Sequence, residues 1–332
     1  MPGPTDCEDS PRLQGKGIDA LIAANERIVI TGAGGWLGLA TLELLHNTLG
    51  KAAFEKRVVA FGSSARTLDL RDGLTVAQRP LTTLAQLDFR PTLVLHTAFV
   101  TMDKVATMSR EEYVAANVAI REIVLNALDR VGATKLFVAS SGAAEFADAS
   151  DAAPALALYG GLKKEDERLF SAWAKQQAGR KTLITRIFSL TGPYINKPET
   201  YAFADFVRTA TKGEVIRLRS STPQIRSYVA IRELMSLIFS LLSRDWDTSV
   251  IAFDTGGEPV ELGDLAQRIS DRLGGAGIER PHFIAHAPNR YASSNESLYR
   301  TLRVKADVPD VSPTAQIHEL TYYLAAPTVA LA

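Results

Sequence analysis

The chain has 332 residues, 46% of them hydrophobic, enough to bury the core of one large or two modest domains. Its 37 Lys+Arg balance 37 Asp+Glu, so no net field draws it to nucleic acid or to an acidic membrane surface. Cys7 is the only cysteine, which excludes intrachain disulfides and multi-cysteine metal sites. No apolar run reaches the ~20 residues of a membrane span, and the N-terminus lacks signal-peptide character, so a cytoplasmic protein is expected.

Residues 1–17, rich in Pro, Gly and charge, read as a flexible tail. A short amphipathic stretch at residues 18–22 leads into Arg27-Ile28-Val29-Ile30-Thr31, an unbroken β-branched run that predicts a strand buried on both faces. The apolar period then switches to that of a helix over Trp36 to Leu49, and a second buried strand follows from Arg57. Thr67 to Leu81, with Asp72-Gly73 between two short apolar segments, suggests a hairpin in place of a crossover helix.

Strands at residues 92–96, 135–139 and 182–187 alternate with helices at 110–131 and 157–178. Such alternation predicts an α/β fold with a Rossmann-type, doubly wound parallel sheet over residues 18–193. Beyond Gly192-Pro193 the regularity loosens into helices at 203–212, 231–243 and 262–273, read as a smaller C-terminal substrate-binding domain over 194–332. Residues 250–253 form one further strand that could return to the core.

The segment Gly32-Ala33-Gly34-Gly35-Trp36-Leu37-Gly38 joins the first strand to the first helix. Its spacing suits a dinucleotide cradle: Gly32 for the turn, Gly35 where backbone approaches a pyrophosphate, and Gly38 for helix–strand packing. The phosphates would meet the free amides around Trp36 and Leu37 at the positive end of the helix. The second strand ends without the usual ribose-binding acid; Ser63, Ser64 and Arg66 stand there instead, which favours NADP, while nearby Asp69 keeps NAD open.

Tyr159 and Lys163 lie one helical turn apart on one face. A cation beside a phenol lowers its pKa toward a usable acid/base, and Ser141, just past a strand, could hydrogen-bond the reacting oxygen, with Ser140 as fallback. His282 and His286 are four apart, but Pro281 before them and Phe283-Ile284 between them suit a strand, and His46, His96 and His318 show no ligand clustering, so no metal is expected; Cys7 lacks an activating environment.

With these motifs in this order the chain resembles the extended branch of the short-chain dehydrogenase/reductase superfamily, the epimerases, dehydratases and reductases of nucleotide sugars. The resemblance implies Tyr159 as acid/base, Lys163 on the nicotinamide ribose and Ser141 on the substrate oxygen. It places His96, Thr97 and Ala98 beside the nicotinamide, Asn117 at the family's helix asparagine, and Ser189 where an asparagine grips the substrate nucleotide. Arg226 matches an arginine that meets a substrate diphosphate, with Arg290 as a second clamp. Gly142-Ala143 replaces the acid pair of the dehydratases, so that activity is not expected.

The expected activity is a 4-ketoreductase using NADP on a nucleotide diphosphate sugar. A 4-epimerase, a reductase of a non-sugar carbonyl and a non-catalytic NADP-sensing protein stay open. The resemblance also implies a homodimer through the helices at 110–131 and 157–178.

Overall fold

The computed structural model describes residues 11–150, 152–284 and 287–325, so Cys7 and His286 lie outside the described residues. In chain order the first half comprises α1 (Ile18–Ala23), β1 (Arg27–Thr31), α2 (Trp36–Leu49), α3 (Lys51–Arg57), β2 (Val58–Gly62), β3 (Arg66–Asp69), β4 (Thr75–Pro80), β5 (Thr92–His96), α4 (Arg110–Leu128), β6 (Ala133–Ser141) and α5 (Ala143–Phe146). The second half runs α6 (Pro154–Lys175), β7 (Lys181–Ile187), β8 (Ser189–Thr191), α7 (Ala202–Thr211), β9 (Ile216–Arg217), β10 (Gln224–Ala230), α8 (Ile231–Leu242), β11 (Val250–Asp254), β12 (Pro259–Glu261), α9 (Leu262–Leu273), β13 (Ile278–Glu279), β14 (Asn289–Tyr291), α10 (Ser297–Lys305) and α11 (Pro313–Ala325).

Eight strands form the main sheet in the order β11-β7-β6-β5-β1-β2-β4-β3. Every pairing is parallel except that of β3 with β4, the hairpin expected around Asp72-Gly73, whose turn residues take φ of 57° and 72°. The order reverses between β1 and β5, so a crevice opens at the carboxyl ends of those strands.

All five residues of β1 are buried because both faces of the sheet are covered. Ile28 and Ile30 pack with Leu39, Leu42 and Leu45 of α2 and Leu234 and Ile238 of α8. Val29, on the other face, joins Val124 and Leu128 of α4 and Phe170 and Trp173 of α6. Each such side chain, fully buried, contributes on the order of 1.5–3 kcal/mol. A separate cluster, including Phe203, Val207, Leu265, Ile269 and Leu320, holds α7, α9 and α11 together.

After β7 the chain crosses at Phe188 into β8, which pairs with the end of β10; the start of β10 pairs with β12 and β14. This small sheet overhangs the carboxyl end of β6. The strand at Val250–Asp254 adds to the main sheet beside β7.

Two expectations are corrected. Residues 11–17, assigned to the tail, are docked: Leu13 is buried, and the amides of Leu13, Gln14 and Lys16 donate to Thr48 Oγ1, Ser236 Oγ and Ala306 O. One apolar side chain and a set of acceptors on the body compensate for ordering that segment. Arg57, read as the start of a strand, ends α3 and donates to the carbonyls of Leu21 and Glu26.

Among the described residues no helix is long and apolar enough to cross a membrane, and no group of His, Cys, Asp or Glu could hold a metal. The exposed large apolar side chains, among them Phe89, Met102, Tyr201 and Tyr322, all lie outside α4 and α6. The expected helix pairing therefore has no exposed large apolar anchor.

Candidate active site

Three glycines shape the loop from β1 into α2. Gly32 takes φ 74°, and a Cβ there would come within 2.6 Å of the Ala98 amide nitrogen, so loop and β5 end meet backbone to backbone. A Cβ on Gly38 would reach 2.5 Å from the Gly32 carbonyl, so its absence lets α2 pack onto the loop. Gly35, exposed and extended, precedes α2 with no side-chain cap, which leaves the first amides of the helix facing the crevice. Trp36 is pinned by its indole N–H to Pro193 O at 2.7 Å and by an edge contact with Tyr201, while Thr97 donates its amide and hydroxyl to Thr31 O. At the outer end Ser63, Ser64 and Arg66 are exposed, and the Arg66 guanidinium lies against Gly34.

The second group of residues gathers where β6 ends. Gly160 lets α6 approach the backbone of Ala143, and Tyr159 on α6 lies beside Ser141. Ser141 Oγ also accepts from the Ala143 amide and lies 3.2 Å from the Tyr291 hydroxyl. Lys163, 6% exposed, donates to Ala139 O at 2.8 Å and sits 3.8 Å from the centre of the Phe99 ring, whose edge contacts Tyr159.

Burial sets the protonation states. It pushes the Tyr159 phenol well above its ordinary value, with the neighbouring Ser141 hydroxyl as the leading opposing effect. It lowers the Lys163 ammonium to about 8, against the pull of Asp166 and Glu167. The expectation that Lys163 would lower Tyr159 is thus corrected for the chain alone. Helical spacing puts both groups on one face, but Phe99 packs against both and the ammonium is engaged by Ala139.

On the overhanging sheet Arg226 and Tyr291 are register partners, so their side chains share a face, and charge coupling links them. Arg226 donates to Ile225 O, Asn289 O and Gln224 Oε1, with no carboxylate partner among the described residues, and burial lowers its pKa. Ser189, half-buried on β8, pairs in register with Tyr228.

Residues 28–251 match the sequence pattern of the NAD dependent epimerase/dehydratase family. The chain belongs to that family. Its members are extended short-chain dehydrogenases/reductases, as the order of motifs implied.

The fold is similar to that of a UDP-N-acetylglucosamine 4-epimerase from Methanobrevibacter ruminantium in complex with UDP-N-acetylmuramic acid, with a TM-score of 0.69, 17% identity, and 90% and 98% of the two chains covered. A UDP-N-acetylglucosamine 4-epimerase from Bacillus cereus gives 0.66 at 18% identity over 92% and 99%. The Thermus thermophilus UDP-glucose 4-epimerase in complex with NAD gives 0.65 at 18% over 91% and 100%. At these identities the likeness is one of fold. A search of curated proteins by sequence finds no match.

The dinucleotide implied by membership of the epimerase/dehydratase family suits the residues present: an uncapped helix start behind an exposed glycine, walled by Thr97 and Ala98.

The structure packs or bonds three of the other expected residues within the protein and sets a fourth, Arg290, on the face opposite Arg226. His96 is 3% exposed, bonded to Thr31 Oγ1 at 2.8 Å, and held neutral by burial, with a pKa lowered to about 3. Asn117, also buried, accepts from the Val100 amide and donates to Tyr113 O, tying the Phe99–Val100 loop to α4. Ser140 donates to Glu167, itself clasped by Arg186, behind the sheet end. Arg290 is exposed and, one residue from Tyr291 on β14, projects from the opposite face to Arg226.

The residue that sequence reasoning missed is Tyr291, packed on Phe146 and Phe188 beside Ser141. Its neighbourhood in sequence carried no motif; only the β10–β14 pairing places it.

Proposed function

We propose that this epimerase/dehydratase-family member is an NADP-using 4-ketoreductase of nucleotide diphosphate sugars, with the region after residue 193, β11 apart, forming the substrate side. A bound nicotinamide cofactor would supply the hydride to the carbonyl carbon. Tyr159 donates its proton to the carbonyl oxygen as that carbon is reduced, and Ser141 Oγ, held by the Ala143 amide, steadies the oxygen as charge develops. Lys163 has the family position for holding the nicotinamide ribose. Arg226, without an acidic partner among the described residues, suits the substrate diphosphate, and Ser63, Ser64 and Arg66 suit the 2′-phosphate.

The carrying observation is the meeting of Tyr159 of α6 with Ser141 at the carboxyl end of β6. A protonated phenol beside a serine hydroxyl is the form that donates to a carbonyl oxygen as hydride arrives. Likeness in fold to 4-epimerases of UDP-sugars favours a second reading, epimerisation at C4 with the cofactor regenerated in each turnover.

The deciding experiment supplies a nucleotide 4-keto sugar with stoichiometric NADPH. Equimolar NADPH oxidation and alcohol formation, lost in Tyr159→Phe, support the reductase. Interconversion of C4 epimers with no net cofactor consumption overturns it in favour of the epimerase.

A further inference from the structure

Gln78 of β4 is 4% exposed, and its register partners are Ala60 on β2 and Arg66 on β3. Its side chain therefore shares the face of Ala60 and of Gly62, two residues further along β2. The amide fills the place of the side chain that Gly62 lacks: a Cβ on Gly62 would overlap it. From the other direction, a Cβ on Gly34 would come within 2.9 Å of Gln78 Oε1. The amide thus lies between the end of β2 and the glycine loop, where dinucleotide-binding sheets present a carboxylate to the adenosine ribose.

Its orientation is decided by chemistry. Gln78 Nε2 donates to Ser64 O at 2.8 Å, and since that carbonyl can only accept, the amide cannot be turned over. Gln78 Oε1 is left buried with no hydrogen-bond partner among the described residues. A buried acceptor without a donor is costly, and this one lies against Gly62 and Gly34, at the junction of β2 and the glycine loop.

We propose that Gln78 is the adenosine-ribose acceptor of this chain, a neutral replacement delivered from β4 for the carboxylate absent at Gly62. The inference rests on the cofactor reading above and deepens it. An uncharged acceptor takes a hydrogen bond from a ribose hydroxyl without repelling a neighbouring 2′-phosphate. Gln78 and its cross-strand neighbour Arg66 then act together, the amide on the sugar and the guanidinium on the phosphate.

The test measures dissociation constants of NADPH and NADH by calorimetry on the full chain, with thermal unfolding of each variant checked first. Gln78→Glu is expected to weaken NADPH at least tenfold relative to NADH, and Gln78→Met to weaken both roughly tenfold. A cofactor analogue lacking the adenosine 3′-hydroxyl should bind wild type more weakly than its parent, with no such difference in Gln78→Met. That comparison also decides the matter if Gln78→Glu does not fold. An unchanged NADPH-to-NADH ratio in a folded Gln78→Glu protein, or wild-type affinity undiminished for the deoxy analogue, overturns the role of Gln78. Failure of the wild type to bind either dinucleotide overturns the cofactor reading, and wild-type preference for NADH overturns the NADP assignment alone.

Discussion

Ser141 Oγ lies 3.2 Å from the hydroxyl of Tyr291, a residue that reaches it across 150 positions of chain, while Tyr159 adjoins the same serine. One hydroxyl is therefore flanked by two phenols, both pushed up by burial. Its neighbour Ser140 faces the Glu167–Arg186 pair instead. Ser141→Ala should lower kcat by about 10²-fold with little change in Tm, the loss expected of a donor to the developing oxyanion. Ser140→Ala should cost about 1 kcal/mol of stability and leave kcat within a few-fold. Steady-state NADPH oxidation and denaturant unfolding of the two variants separate these outcomes.

Lys163 makes stability depend on alkaline pH. Its pKa falls from 10.5 to about 8 on burial, so above pH 8 the unfolded chain holds more protons at this site than the folded one. The burial cost is present in full below about 8 and is relieved as pH rises toward 10.5. Between pH 7.5 and 9.5 this contribution amounts to about 2 kcal/mol. Lys163→Met should remove it, so the difference between wild-type and variant unfolding free energies should shift by roughly that amount over the interval.

Asn117 acts on the site through the loop it holds. Its carboxamide takes the Val100 amide at 2.8 Å, and the adjacent Phe99 ring supports both Lys163 and Tyr159. Asn117→Leu should leave that amide unpaired and cost about 1–3 kcal/mol, with kcat lowered alongside. The upward shift of Lys163 once the ring loosens distinguishes positioning from plain destabilisation. The alkaline dependence of stability described for wild type should shrink in Asn117→Leu.

The two arginines of the overhanging sheet should differ sharply. Arg226→Lys keeps the charge but loses the fork, and KM for the nucleotide sugar should rise about tenfold or more with kcat little altered. Arg290→Ala, on the opposite face, should leave KM within about twofold. A salt titration of KM gives the same contrast, since only the diphosphate clamp is screened.

Much of this architecture was legible in local pattern. An unbroken β-branched run ending at glycines predicted β1, and short apolar runs predicted β2 and β5; Asp72-Gly73 marked the hairpin; and the Gly32–Gly38 spacing placed the cradle at the first crossover. Those signals are short-range, because backbone conformation, helix period and turn chemistry act within a few residues. Membership of the epimerase/dehydratase family followed from the order of three such motifs.

What the sequence by itself determined is therefore the parallel sheet, the glycine loop and the positions of Ser141, Tyr159 and Lys163 along it. Only the tertiary structure decided that Phe99 supports the ammonium, that His96 and Asn117 are supports behind the cleft, and that Tyr291 and Arg226 share a face. It also decided that Gln78 fills the space of the missing acid at Gly62. Each of these depends on strand register or burial set by elements distant along the chain. Protonation follows the same rule, since desolvation of Tyr159 and Lys163 is a property of their packed surroundings.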